Sequence, residues 1–306
     1  MALVPAALSP GTPSAPGFSR MLSPEVMRAE IRHVTEYAYR EPAWDSFNEV
    51  RLHPEASDRQ QLRSFHLLVE PDASISSHRD YFGSLVHHVH VHERHTTLRI
   101  EAQALVITQP LLLPPPTPFG ALDEVRGGFR NEGGTEFLVA SPRVPSGDWP
   151  QVFGVARPGP EDDLTAFLTD LTHQLYEQFS YQPGATSVRT TIQEFSQLQR
   201  GVCQDFTHAM LGICRALGIP ARYVSGYLYS GGEMVGAEAT HAWVEALIPG
   251  TGWIGFDPTN DVLAGEKHIK IGHGRDYPDV SPVRGTFYGG GQGSLDVEVR
   301  VYGEAR

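Results

Sequence analysis

Residues 201–210 read GVCQDFTHAM, a cysteine placed immediately ahead of an amphipathic run. A thiol at the first position of a helix faces the positive end of the macrodipole and unpaired backbone N–H groups, and both favour the thiolate. The same N–H groups are available to a developing oxyanion. Such a nucleophile needs a base, which His241 in THAWVEAL supplies, and Asp257 in GFDPT supplies a carboxylate to orient the imidazole. Together the three residue types point to thiol nucleophilic catalysis. Against this stands the plainer reading of Cys203 as a small buried residue capping a helix.

The elements that must position these residues can be read from pattern. If THAWVEAL and GWIGFD form a hairpin over IPGTG with Leu247 opposite Trp253, Asp257 faces Trp243, one diagonal step from His241 and roughly 7–8 Å away at Cα. The opposite face then carries Ala242, Val244, Ala246, Ile254 and Phe256, all apolar, so one register both joins the dyad and buries a core face. Trp243 and Trp253 fall on the dyad's face as candidate walls of a substrate cleft. Tyr223, Ser225 and Tyr227 alternate along a neighbouring strand, and Tyr227 joins the two tryptophans as a candidate substrate contact. Ahead of the hairpin, Leu164, Phe167, Leu168, Leu171 and Leu175 have helical spacing, and TTIQEFSQLQ predicts a short second helix. The helix opening at Cys203 carries Phe206, Met210, Ile213, Cys214 and Leu217 as its apolar stripe and stops at Gly218 and Pro220. Cys214 is thus a core residue, Asp205 complements the helix dipole, and His208 is a helix-face histidine.

The stretch GVCQDFTHAMLGICRALGIPARYVSGY followed by THAWVEALIPGTGWIGFDPTND resembles the bacterial transglutaminase-like proteins of the papain-like cysteine hydrolase group, over roughly residues 160–262. The motifs GVCxD, HAWVE and GFDPT, in that order, carry the resemblance. HVTEYAYREP and SFNEVRLHP, within residues 28–107, look like the β-rich N-terminal region that precedes this catalytic domain. The resemblance implies a Cys–His–Asp triad at Cys203, His241 and Asp257 and acyl transfer on a peptide or protein amide through a thioester. It implies no metal or organic cofactor. Crosslinking enzymes, peptidases and deamidases share the family, so water and an amine both stay open as acceptors, and a binding module that kept the fold is the alternative outside enzymes.

Across the whole chain the pattern predicts an α+β protein. Alternating runs from about residue 28 (MRAEIRHVTEYAYR, QLRSFHLLVE, LVHHVHVHE, TTLRIEAQALVI) argue a small antiparallel β domain, and helices followed by strands argue an α+β catalytic domain. The expected division is a disordered tail over 1–27, a β-rich domain with a Pro-rich linker over 28–150, and a catalytic domain over 151–306, whose end holds one further strand at LDVEVRVY. The strand histidines His88, His90 and His92 point to one face, where i, i+2 histidines can chelate zinc; with no cysteine nearby, an exposed histidine-rich face is the favoured reading and no metal is expected.

Composition narrows the class. A chain of 306 residues with 40% hydrophobic and 20% charged residues is an ordinary globular protein. Its net charge of −12 gives no electrostatic reason to expect nucleic acid or anionic membrane as partners. No run approaches the ~20 apolar residues of a membrane helix. Cys203 and Cys214, on one helix about 16 Å apart, exceed disulfide reach and so fit a reducing compartment. The start MALVPAALSPGTPSAPGFSR lacks a cationic region and is broken by Pro5 and Pro10, which argues against secretion and for a cytoplasmic protein, with Met21 an alternative start.

Overall fold

The structure is a computed structural model and describes residues 26–123, 134–231, 234, 236, 239–291 and 293–305. The expected disordered tail and the alternative start at Met21 lie outside the described residues, except for its last two positions, 26 and 27.

The alternating first part folds as β1 (Met27–Val50), β2 (Gln60–Glu70), β3 (Ser74–Arg79), β4 (Leu85–Val91) and β5 (His95–Thr108). These strands pair antiparallel in the order β2-β5-β1-β4-β3. β1 is the spine: its first half runs beside β5, its second half beside β4, and its register breaks between Ala38 and Ala43 and again between Trp44 and Phe47. Asp45 sits in that second break with φ +44°. The sheet buries Val50, Leu52, Val89, Val91, Leu98 and Ile100 on one face.

The second part begins with α1 (Trp149–Val152) and α2 (Leu164–Gln178). Asp163 starts α2 by accepting from the Thr165 N–H at 2.9 Å, and Leu164, Leu168, Leu171 and Leu175 turn inward. The two-residue strands β6 (Ser180–Tyr181) and β7 (Arg200–Gly201) flank α3 (Ile192–Leu198) and pair in parallel. In α3, Thr191 and Glu194 form a reciprocal capping box. Then come α4 (Cys203–Ala216), β8 (Ala221–Leu228), β9 (His241–Ile248), β10 (Gly252–Asp257), β11 (Val262–Leu263) and β12 (His268–Gly274). The second sheet is antiparallel in the order β11-β10-β9-β8-β12.

The hairpin register is the one the apolar face demands, with Trp253 opposite Leu247 and Phe256 opposite Val244. Ala242, Val244, Ala246, Ile254 and Phe256 bury against α4, whose Phe206, Met210, Ile213 and Cys214 lie in the same core. Each large apolar side chain so buried stabilises by about 1.5–3 kcal/mol, so this face fixes where the N-terminus of α4 stands relative to β9 and β10.

Two boundaries differ from the sequence reading. Leu111, Leu122, Val144 and Trp149, expected to close the N-terminal domain, pack into the helical core instead. The chain end, expected in the catalytic domain, returns to the first sheet: β13 (Val283–Gly289) and β14 (Ser294–Ala305) both pair with β1, Met27 opposite Ala305. The long free edge of β1 explains this, because its unpaired N–H and C=O groups need a partner that local alternation cannot name. The two sheets meet where Tyr227, Ile269 and Ile271 pack on Met27, Ile31 and Val106. The Gln60 side chain also clamps the Lys270 backbone, donating to its carbonyl at 2.7 Å and accepting from its N–H at 2.8 Å.

Candidate active site

Cys203 is the first residue of α4 and is only partly buried, packed beside the core. The turn ahead of it is held by Asp205, whose carboxylate accepts from the Val202 N–H at 2.8 Å and from the Thr186 hydroxyl at 2.6 Å. Asp205 is buried and serves as a cap as well as a dipole complement, and burial raises its pKa. Gly201 is required here, since a Cβ on it would stand 2.5 Å from the Asp205 carboxylate. That contact accounts for the GVCxD spacing.

His241 opens β9 and Asp257 closes β10, and both are wholly buried at the side chain. His241 Nε2 lies 2.7 Å from Asp257 Oδ2. Among the described residues its Nδ1 meets no partner but the Cys203 side chain, whose hydrogen bond is among the causes of the His241 shift, and it is therefore the nitrogen turned to the thiol. Gly236, at φ +87°, passes close by; a Cβ there would come within 2.8 Å of this Nδ1. Burial opposes a charged imidazole, but the Asp257 charge, its hydrogen bond and the nearby Cys203 together raise the His241 pKa to about 10. Burial likewise opposes the carboxylate, yet His241 and His268 hold Asp257 far below the usual carboxylate range.

Asp257 receives more donors than the sequence reading foresaw. Asn260 Nδ2 donates to Oδ2 at 2.8 Å, the Thr259 N–H donates to Oδ1 at 3.0 Å, and His268 Nε2 donates to Oδ2 at 3.1 Å. His268, on β12 and buried, has its pKa lowered by burial and so reaches Asp257 as the neutral Nε2–H tautomer. Neither Asn260 nor His268 was legible as a site residue; the Asx-turn of DPTN was the available signal for the first, while nothing local marks the second. His241, Asp257 and His268 are near enough together to hold a cation. Both imidazoles, however, spend an N–H on the carboxylate oxygen a metal would need, so the set fits a hydrogen-bonded relay better than a metal centre.

Trp243 lies under the site: its ring faces His241 at 6.3 Å between centroids and meets His268 edge-on at 5.2 Å, and it is 2% exposed. It is a floor, packed with Val224 and Ala264. Trp253 shares its sheet face but is held by Arg222, 4.1 Å over the ring, and by Phe137, away from the dyad. Tyr227 departs from expectation. It is buried between the two sheets, with its hydroxyl 3.3 Å from His33, because β12 and β1 cover that end of β8. Tyr223 and Ser225 are buried too, Tyr223 against His208 and Tyr277. His208 is no surface histidine: burial, aided by Arg143 and Arg215, pushes its pKa down to about 3, and its Nε2 accepts from the Tyr277 N–H at 3.3 Å. Cys214 is core as expected, fully buried, its thiol pKa pushed up to about 12 by burial. Of the β4 histidines, His88 turns aside to His78, 2.9 Å between ring nitrogens, and only His90 and the following His92 approach a third group, Asp45.

Among the described residues no helix is long and apolar enough to cross a membrane. Comparison with known proteins gives two matches to family profiles. Residues 29–107 match the bacterial transglutaminase-like N-terminal region and residues 155–258 match the transglutaminase-like superfamily. An uncharacterised protein of Mycobacterium tuberculosis is 33% identical over 292 residues, 90% of this chain and 92% of that one. A protein-glutamine gamma-glutamyltransferase of Pseudomonas aeruginosa is 33% identical over 111 residues, 34% of this chain but 16% of that protein. A crystal structure from Cytophaga hutchinsonii, provisionally assigned as a cysteine protease, superposes with a TM-score of 0.73 at 24% identity, covering 92% of this chain and 91% of its own.

Proposed function

Because the chain belongs to the transglutaminase-like superfamily, a family of thiol-dependent hydrolases and acyltransferases, we propose that it transfers or hydrolyses the acyl group of a peptide or protein amide with Cys203 as nucleophile. The observation that supports this reading is the buried His241–Asp257 pair at 2.7 Å, with Cys203, at the head of α4, among the groups that raise the His241 pKa. In the first step His241 Nδ1 holds the proton given up by the Cys203 thiol. The sulfur adds to the amide carbonyl carbon, and the C=O electron pair moves to oxygen. The resulting oxyanion meets the first N–H groups of α4, that of Cys203 among them, which have no intrahelical acceptor. Collapse breaks the C–N bond as His241 Nδ1 gives its proton to the departing amine, leaving a thioester on sulfur. Neutral His241 then takes a proton from the attacking water or amine, and the thiolate leaves.

A binding module that merely kept the fold is the less favoured reading, since a wholly buried ion pair is costly to maintain without a use. Two free thiols fit a cytoplasmic setting. The test is intact-mass analysis during turnover of glutamine-containing peptides, with and without a primary amine. An acyl adduct on Cys203, absent in Cys203→Ala, supports the reading; ammonia release alone indicates hydrolysis and amine incorporation indicates transamidation. If no peptide acylates Cys203 and the thiol alkylates no faster than an ordinary one, the reading is dropped.

A further inference from the structure

The β4 histidines find on β1 the ligand that the sequence did not reveal. Asp45 stands in the register break of β1 between Trp44 and Phe47, in the left-handed region at φ +44°. Aspartate enters that region more readily than most residues, and a bulge of this kind re-aims a side chain. Its backbone N–H donates to the His92 carbonyl at 3.4 Å, which ties the bend of β1 to the end of β4. The Asp45 Oδ1 oxygen is 3.5 Å from His90 Nε2 and is hydrogen-bonded by His92 Nδ1. These three ligand atoms all lie within 4.8 Å of one another.

His90 supplies the second line of argument. Among the described residues the only group facing its shielded Nε2 is the Asp45 carboxylate, 3.5 Å away and too far for a good hydrogen bond. A shielded imidazole nitrogen with only so long a contact is poorly satisfied, and an ion between it and the carboxylate would pair both. The ring is also fixed, stacked on Phe47 at 4.1 Å and 16°. Ligand atoms of a tetrahedral zinc site with bonds of ~2.0–2.1 Å stand about 3.3–3.4 Å apart, close to the Asp45–His90 spacing. His92, 81% exposed at its side chain, has room to adjust, and metal entry displaces the proton it shares with Asp45.

We propose that Asp45, His90 and His92 form a surface site for a divalent transition metal of the zinc class, bound by two imidazoles and one carboxylate. Two nitrogen ligands select this class over calcium or magnesium, which take oxygen sets. The fourth position is left for water, so the ion is exchangeable. It bridges the bend of β1 to the end of β4, and none of its ligands belongs to the sheet that carries His241 and Asp257. The inference therefore stands apart from the proposed reaction.

The test is zinc and cobalt titration of the tag-free full chain carrying Cys203→Ser, so that no active thiol competes. One equivalent should bind and raise the melting temperature, and bound cobalt should show no thiolate charge-transfer band. His92→Ala and Asp45→Ala should each weaken binding at least ~10-fold, the least expected when a direct ligand is lost. His88→Ala should leave binding unchanged. His92 is exposed, so His92→Ala should fold as the parent does. No uptake by the parent, or equal uptake in His92→Ala and Asp45→Ala, overturns the proposal. So does zinc that binds only when Cys203 is present.

Discussion

His268 Nε2 lies 3.1 Å from Asp257 Oδ2, the same oxygen that His241 reaches at 2.7 Å. Two imidazoles from different strands thus converge on one carboxylate oxygen, and the second of them touches no atom that the proposed reaction changes. His268 is a positioning residue: it holds Asp257 in the orientation His241 requires. A hydrogen bond to a charged group is worth about 1.5–3 kcal/mol. His268→Leu should therefore lower kcat roughly 10- to 100-fold with KM little altered, whereas His268→Gln, which keeps a donor, should recover part of the loss. Steady-state kinetics of both variants check this; equal loss in the two would reduce His268 to a packing residue.

The two cysteines should separate cleanly in a labelling experiment. Cys203 is partly exposed at a helix N-terminus, while Cys214 is fully buried with its thiol pushed up to about 12. Brief iodoacetamide treatment of the native protein at pH 7 should add one carbamidomethyl group, on Cys203, and none to Cys203→Ser protein. Urea should expose the second thiol. Peptide mapping decides, and modification of Cys214 in the native state would contradict the burial described.

The buried ion pair should make stability depend on pH in a definite direction. His241 has a folded pKa of about 10 against a reference near 6.5, so its contribution is complete below pH ~6.5 and disappears as the pH rises through 10. Asp257 is shifted the other way, and its contribution is lost as the pH falls below about 4. The wild-type urea midpoint should therefore drop between pH 7 and 10, by at most ~1.4 kcal/mol of stability per pH unit from this group. In Asp257→Asn the same stretch should be flatter. Parallel slopes would mean that the imidazole is not held as a cation.

A second charged cluster ties the two sheets together. Glu245 accepts from Arg222 and from Lys270 at 2.8 Å, and Lys270 lies 3.5 Å from Glu55 of the first unit. The Glu245, Arg222 and Lys270 side chains are each 13% exposed or less. Glu245→Gln leaves two cations short of their counter-charge in a poorly solvated place, where losing one partner costs about 3–5 kcal/mol. Thermal melting should register a large drop, and the further change Lys270→Met should restore part of it. Additive losses would show that the cluster is not coupled.

What could be read in advance, and what could not, follows from the range of each interaction. The His241–Asp257 pairing was legible because one apolar face, Ala242 to Phe256, permits one register, and a slip would turn that face to water. Cys203 was legible through its place ahead of the stripe Phe206, Met210, Ile213. His268 was not, because a histidine in HIKIGHG has no local feature that says which carboxylate its strand will approach. Tyr227 misled for a related reason: alternation groups it with Tyr223 and Ser225, but says neither that Gly226 would stand opposite His241 nor that β12 and β1 would close over that end of β8. The return of β13 and β14 to β1 was hidden too, since an exposed strand edge advertises a vacancy without specifying who fills it.

That return has a consequence for how the molecule can be divided and assembled. With Met27 opposite Ala305, the strand that opens the described chain is completed by the strand that ends it. The helices and second sheet are thus threaded between two parts of one sheet, as an inserted unit and not as a separable half. A fragment beginning near residue 150 would carry β13 and β14 with no β1 to receive them, and one ending there would leave β1 bare along an edge. The last pairing to form closes a loop around nearly the whole chain, so folding should be slow and concluded by the chain's own tail.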